Sequence, residues 1–168
     1  TRIENIPGDI LGYDLKTGTL KNSITTGDGN VTELVRVDEK ARQIWFTANG
    51  RESGRDPYFQ ALYRVGFDGK GLTLLTPEPS HHTVSVSPDG RYVFDTFSTP
   101  DVPPVTVLRD RNGKVLQTLE RAEIASLLAS GWRAPVPVRV KARDGTTDIY
   151  GLMYLPTRLD STKKYPII

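Results

Sequence analysis

The chain has 168 residues, 37% hydrophobic and 25% charged, with 22 Lys and Arg against 20 Asp and Glu for a formal net charge of +2. This is the balance of a globular chain that folds in water, and its scattered basic residues exclude the electrostatic footprint of a nucleic-acid binder. With no cysteine, disulfide frameworks, thiol nucleophiles and cysteine zinc sites are excluded too, while the redox compartment is left open.

The opening TRIENIPGDILGYDL has no initiator Met, no basic region and no long apolar run, so neither a signal peptide nor a membrane span is expected here, and the start reads as a cut. LGYDLKTGTLKNSIT, residues 11–25, reads as two strands about a Thr17-Gly18 turn. VDEKARQIWF, residues 37–46, is a strand, a polar turn and a strand ending in aromatics. A long loop, ANGRESGRDPYFQ at 48–60, leads to LYRVGFDGKGLTLLTPE at 62–78, whose Asp68-Gly69 is a strong hairpin signal. TVSVSPDGRYVFDTF at 83–97 is two alternating runs about Ser-Pro-Asp-Gly, where Pro88 presets the turn and Asp89 and Gly90 complete it. VTVLRDRNGKVLQTLE at 105–120 repeats that pattern about Asn112-Gly113.

These segments repeat. Phe46 can be laid on Phe94 at an offset of 48, and Asp68-Gly69 on Asn112-Gly113 at an offset of 44. Each full unit holds four short strands, the content and spacing of a propeller blade. Residues 1–120 supply about two and a half blades, fewer than the roughly 4 to 8 of a closed propeller. After Glu120, RAEIASLLASGW spaces Ile124, Leu127 and Leu128 as a helix over 121–130, with Gly131 placed to end it. Two strands about Asp144-Gly145 follow, then a Pro-bounded loop and an apolar strand beginning at Ile167.

The order of pieces resembles the dipeptidyl peptidase IV branch of the prolyl oligopeptidase serine peptidases. The resemblance rests on SPDGRYVFDTFSTPDVPPVTVLRDRNGKVL, a short helix, and then VKARDGTTDIYGLMYLPTRLDSTKKYPII. It implies a mainly β chain: about two and a half four-stranded propeller blades over 1–120, then over 121–168 a connecting helix and the first antiparallel strands of an α/β-hydrolase domain. Family members carry a Ser-Asp-His triad under a seven- or eight-bladed propeller and release N-terminal dipeptides, preferring proline or alanine in the second position. A peptide substrate and a periplasmic or extracellular location are therefore expectations for the parent protein. The branch binds the substrate amino group with a Glu-Glu pair. No such pair occurs here, and Asp38-Glu39 reads as a solvated hairpin tip.

The chemistry of acyl transfer is not visible in the residues. The nucleophile motif G-x-S-x-G is absent, and Ser53 in GRESG has its glycines misplaced. His81 and His82 are the only histidines, and neighbours on a strand point to opposite faces, which opposes joint ligation of one metal. They read as polar residues entering a blade. Asp95 and Asp101 read as edge-strand or turn residues, with Asp101 in the loop TPDVPP. Phosphate-binding glycine motifs are missing as well. In the 48–60 loop, Arg51, Arg55, Tyr58 and Phe59 are candidates for contact with a partner or substrate, against a simpler reading in which Tyr58 and Phe59 cover the blade edge. Trp45 and Trp132 read as core residues, and Asn30-Val31-Thr32 is formally a glycosylation acceptor.

No catalytic, cofactor-binding or metal-ligating residue is therefore assigned. The chain is expected to be the non-catalytic propeller scaffold of a serine dipeptidyl peptidase, inactive alone and self-associating through exposed blade edges. The alternative is a TolB-like propeller module that binds proteins without catalysis, which leaves the hydrolase-like tail unexplained.

Overall fold

The computed structural model describes residues 2–6, 8–160 and 162–166. The chain forms two compact units, one of residues 1–98 and 104–121, the other of residues 99–103 and 122–168. The expected strand at Ile167 lies outside the described residues.

The first unit is built from antiparallel sheets whose strands follow chain order. β1 (Arg2–Ile6), β2 (Asp9–Tyr13) and β3 (Leu20–Ser23) make the first. β4 (Asn30–Asp38), β5 (Gln43–Asn49), β6 (Gln60–Gly66) and β7 (Thr73–Leu74) make the second. β8 (His81–Val86), β9 (Tyr92–Thr99), β10 (Val102–Asp110) and β11 (Val115–Arg121) make the third. The two four-stranded repeats thus stand as the turn chemistry requires. In the Ser-Pro-Asp-Gly turn, the Gly90 amide donates to the Ser87 carbonyl at 2.8 Å and the Ser87 amide to the Tyr92 carbonyl at 2.9 Å.

Three details correct the sequence reading. The early half repeat has a third strand, β1, ahead of the Pro7-Gly8 dipeptide. Pro103 and Pro104, read as loop, stand at the start of β10, a position where a missing amide costs least. The repeat register also moves by one. Val37 pairs with Ile44 as Val86 pairs with Val93, an offset of 49 in both strands. Trp45 therefore matches Phe94, and Phe46 matches Asp95. Because side chains alternate along a strand, that single residue exchanges the two faces.

The second sheet is buried on both sides. Ile44, Phe46 and Ala48 of β5 join Ala61, Tyr63 and Val65 of β6 in a core that includes Ile10 and Ile24 of the first sheet region. Trp45 and Leu62 point the other way and pack with Leu75 and Val93, the latter on the third sheet. Burying each such side chain contributes roughly 1.5–3 kcal/mol. Two buried threonines recur at the ends of the outer strands: the Thr25 hydroxyl accepts the Ile10 amide and the Thr76 hydroxyl the Leu62 amide, both at 2.8 Å.

The sheets meet through glycine. A Cβ on Gly69 would lie 3.2 Å from the Ser23 and Ile24 carbonyl oxygens, and one on Gly113 would lie 2.3 Å from the Leu75 carbonyl oxygen. Each glycine also has a positive φ, +77° and +85°, so both backbone conformation and space require it. Gly18, in the matching turn of the first sheet, shares the positive φ but meets nothing within 4 Å. Gly18→Ala should therefore cost about 1–2 kcal/mol, the left-handed penalty alone. Gly113→Ala should cost clearly more, and urea unfolding of the two variants measures the difference.

The second unit holds α1 (Ala125–Ala129), β12 (Val136–Lys141) and β13 (Asp148–Met153). The helix is shorter than the expected 121–130: Arg121 ends β11, and the Glu123 carboxylate accepts the Ala125 amide at 2.6 Å, setting the start. Gly131 closes it at φ +91°. β12 and β13 pair from Val136↔Met153 to Lys141↔Asp148. Their turn is held by Asp144, which accepts the Thr146 and Thr147 amides at 2.8 Å. Hydrogen bonds from Thr147, side chain and backbone, then from the Thr146 backbone, bring the Asp144 carboxyl down to about 2 from an ordinary 3.8. Because the folded value is depressed, its contribution is whole above the ordinary value and is lost as pH falls toward 2. Asp144→Ala should speed amide exchange at Thr146 and Thr147 at neutral pH, with the wild type approaching the variant only in strong acid.

Candidate functional site

The most concentrated chemistry in the first unit lies on the face of the third sheet that packs on the second. His82 on β8, Asp95 on β9 and Arg109 on β10 are each at most 1% exposed. Glu78 comes from the connection between β7 and β8. His82 Nδ1 lies 2.9 Å from Asp95 Oδ1, and its Nε2 lies 3.1 Å from the Glu78 carbonyl oxygen. Arg109 donates from Nε to Asp95 Oδ2 at 2.8 Å, to the Glu78 carboxylate at 2.7 Å and to the Gly113 carbonyl at 3.0 Å. Phe97 flanks both side chains, its ring 5.3 Å from the imidazole and 5.9 Å from the guanidinium.

Both ring nitrogens of His82 face oxygen acceptors. The Arg109 guanidinium pairs with both carboxylates, the partner that buried acids require. Glu78, His82 and Asp95 could formally group around a metal, with ligand atoms within 4.8 Å of one another. They do not fit one: both Asp95 oxygens and the Glu78 carboxylate are already engaged, and an added cation would sit beside the Arg109 guanidinium.

These positions are apolar one blade earlier. Asp95 matches Phe46 by the 49-residue register. Arg109 matches Val65, since the Gly66 amide meets the Lys70 carbonyl as the Asp110 amide meets that of Lys114. His82 pairs with Phe97 where Val31 pairs with Ala48. Removing one partner strands a buried charge, and Asp95→Ala should cost about 3–5 kcal/mol in denaturant unfolding. Replacing the charged groups together, Glu78→Gln with His82→Val, Asp95→Phe and Arg109→Val, leaves no partner stranded and should cost less than Asp95→Ala alone by the same measurement.

At the turn end of the same joint, Arg36, Arg64 and Arg111 stand 5.8–5.9 Å from the Trp45 ring centroid. Arg36 donates to the Pro88 carbonyl at 2.6 Å and Arg64 to the Arg111 carbonyl at 2.7 Å, so the β8–β9 and β10–β11 turns are each held by an arginine of the second sheet. Burial, and then the neighbouring Arg111 charge, pull the Arg64 guanidinium below its usual value. Trp45 is fully buried, in keeping with its core reading.

The 48–60 loop is pinned on both sides. Arg51 donates to the Thr26 carbonyl and Arg55 to the Pro77 carbonyl, each at 2.7 Å, so the loop joins the connections before β4 and before β8. The Tyr63 hydroxyl donates to Glu52 at 2.9 Å, and burial with that carboxylate pushes the phenol well up. Among these residues Tyr58 stays 67% exposed, while Phe59 is half-buried. Edge cover by Tyr58 is therefore not what the structure shows.

The remaining candidates separate. Ser53 is exposed in that loop, and among the described residues no hydrogen bond joins it to a histidine. His81 accepts the Gln60 amide at 3.4 Å, on the opposite face from His82. Asp101 is in a turn, accepting from the Thr99 hydroxyl at 2.7 Å. Asp38 caps its hairpin through the Ala41 amide at 2.8 Å, beside an exposed Glu39. Asn30-Val31-Thr32 lies on β4, where the Thr32 hydroxyl meets that of Thr47 at 2.8 Å. Trp132 is half-buried in the second unit, where no residue of α1 is buried. Asp95 is the correction: it is neither turn nor edge but the buried centre of the third sheet. The signal was its phase, since Val93, Asp95 and Phe97 share one face.

Residues 9–104 match the family described as the dipeptidyl peptidase IV (DPP IV) N-terminal region. The chain is similar to a protein of Arthroderma benhamiae described as a probable dipeptidyl peptidase 4, 26% identical over 151 residues, covering 87% of this chain and 19% of that protein. It is similar in the same shares to dipeptidyl peptidase 4 of Trichophyton rubrum, at 25% identity. Among solved structures, a Bacteroides ovatus protein described as a dipeptidyl aminopeptidase IV matches with a TM-score of 0.66 and 30% identity over 89% of this chain and 20% of its own. Porphyromonas gingivalis dipeptidyl peptidase 4 matches in fold with a TM-score of 0.73 and 22% identity over 98% of this chain and 23% of its own. The antiparallel four-stranded sheets are thus propeller blades of this kind. The chain spans about a fifth of the length of these relatives.

Proposed function

The chain belongs to the dipeptidyl peptidase IV family, matching its N-terminal region, and from that premise we propose that it is the non-catalytic propeller scaffold of a serine exopeptidase. The parent releases N-terminal dipeptides of the Xaa-Pro or Xaa-Ala type from a peptide substrate. In this reading residues 1–120 are propeller, and residues 121–168 lead into the α/β-hydrolase domain that holds the triad. The observation that carries it is the family match over 9–104 in a sequence without G-x-S-x-G.

Two features of the structure support the scaffold role. His81 accepts the Gln60 amide and His82 is held by Asp95 and the Glu78 carbonyl, and among the described residues neither imidazole hydrogen-bonds a hydroxyl, the contact that activates a serine for acyl transfer. The charged groups at the blade joint answer one another, as in a rigid support for a site located elsewhere.

The test is an assay of this chain with a Gly-Pro chromogenic dipeptide. No turnover is expected; activity that survives purification and is blocked by a serine-directed inhibitor would place a catalytic site within these residues and overturn the reading.

A further inference from the structure

The joint between the second and third sheets gathers positive charge at its turn end without the acids to match. Arg36, Arg64 and Arg111 surround the Trp45 ring. Among the described residues no carboxylate forms an ion pair with Arg64 or Arg111, and Arg36 reaches only Asp38, at 3.9 Å. The acids of these turns face their own backbones. Asp38 accepts the Ala41 amide at 2.8 Å, and Asp110 accepts the Asn112 and Lys114 amides at 2.8 and 3.0 Å. Neighbouring guanidinium groups repel, more so where water is displaced, which is the cost that Arg64 shows.

Unused donors stand in the same place. The indole N–H of Trp45, on a fully buried side chain, has no acceptor. Arg64 uses Nη1 for the Arg111 carbonyl and Asn112, and Arg111 uses Nη2 for Gln43. Each keeps further N–H groups without a partner among the described residues. Arg36 differs, since its Nη1 is on Pro88 and its Nε is closed off by Gly90, where a Cβ would lie 2.8 Å away. Arg36 therefore supplies charge from a fixed position, while Arg64 and Arg111 supply charge and donors. Unpaired cations and orphaned donors have one remedy in common, an acceptor that carries negative charge.

We propose that this end of the joint binds a small oxyanion of the phosphate or sulfate type, bridging Arg64 and Arg111 in the field of Arg36. A guanidinium presents N–H groups in a planar fork that matches two oxygens of such an ion. The bound anion ties the β10–β11 turn to β6, so it holds the third sheet on the second. The proposal concerns the blade joint and stands whether or not the chain hydrolyses peptides.

Titration of the whole chain with inorganic phosphate at constant ionic strength, with chloride as the reference anion, tests it through NMR of the indole N–H groups. The Trp45 resonance should shift saturably with phosphate while that of Trp132 stays in place. Arg111→Gln, at an exposed position, should keep the wild-type circular dichroism and bind phosphate at least about tenfold more weakly, the loss of one charge-assisted contact. Lys16→Gln removes the same charge from an exposed turn of the first sheet and should leave the affinity unchanged. No saturable shift, a shift that chloride reproduces, or equal weakening by the two variants would overturn the proposal, the last because it marks general counter-ion attraction. A parallel titration with polyphosphate separates the sources, and either result supports the site: tighter binding assigns a phosphoryl group on a larger molecule, equal binding a free ion.

Discussion

A sheet that is apolar on both sides must be covered on both sides, and the second sheet is such a sheet. Residues 44–48 of β5 are buried without interruption, which a strand with one wet face never shows. Coverage at packing distance then fixes the turns. A tip that must approach the neighbouring backbone can carry no Cβ, so Gly69 and Gly113 follow from the burial of Phe46 and Trp45 rather than from hairpin geometry alone.

The two joints share this geometry and differ in chemistry. The first is closed by hydrocarbon and aromatic side chains. The second holds a four-membered ionic cluster at one end and arginines about an indole at the other. Apolar faces of equal size accept one another with little discrimination, whereas a buried carboxylate that needs an imidazole and a guanidinium beside it does not accept a hydrocarbon face. The charged joint therefore adds order to the series: the third sheet belongs on the second, and an apolar blade placed there would strand Glu78.

Much of this was legible in the residues. Asp68-Gly69, Asn112-Gly113 and Ser87 to Gly90 mark hairpins, and their spacing gives two four-stranded units. What the residues hid had physical causes. β1 is five residues long and polar at Arg2, Glu4 and Asn5, too weak an alternation to mark a strand, and Ile3 packs against the core. The pairing of Phe46 with Phe94 matched aromatics by type, whereas the equal lengths of the two turns set the register one residue over. Asp95 reads as a turn or edge-strand residue because a buried charge on a core face goes against the usual rule until its partners on β8, β10 and the Glu78 connection are in place. Those partners lie 13, 14 and 17 positions from it in the chain, too far for local pattern to join them.

Synthesis from the N-terminus meets the double-sided burial of β5 as a problem of timing. Every sheet pairs strands adjacent in the chain, so hairpins can form as they emerge, with short loops to close. The Ile44 side of the second sheet finds its cover already made. The Trp45 side stays wet until Gly113 has been added, 68 residues later. At roughly 5–20 residues per second that is an interval of several seconds with a large indole face open to other chains. The arginines at Arg36 and Arg64 flank that face throughout, and a charged rim is one of the devices by which an unfinished sheet avoids the wrong neighbour.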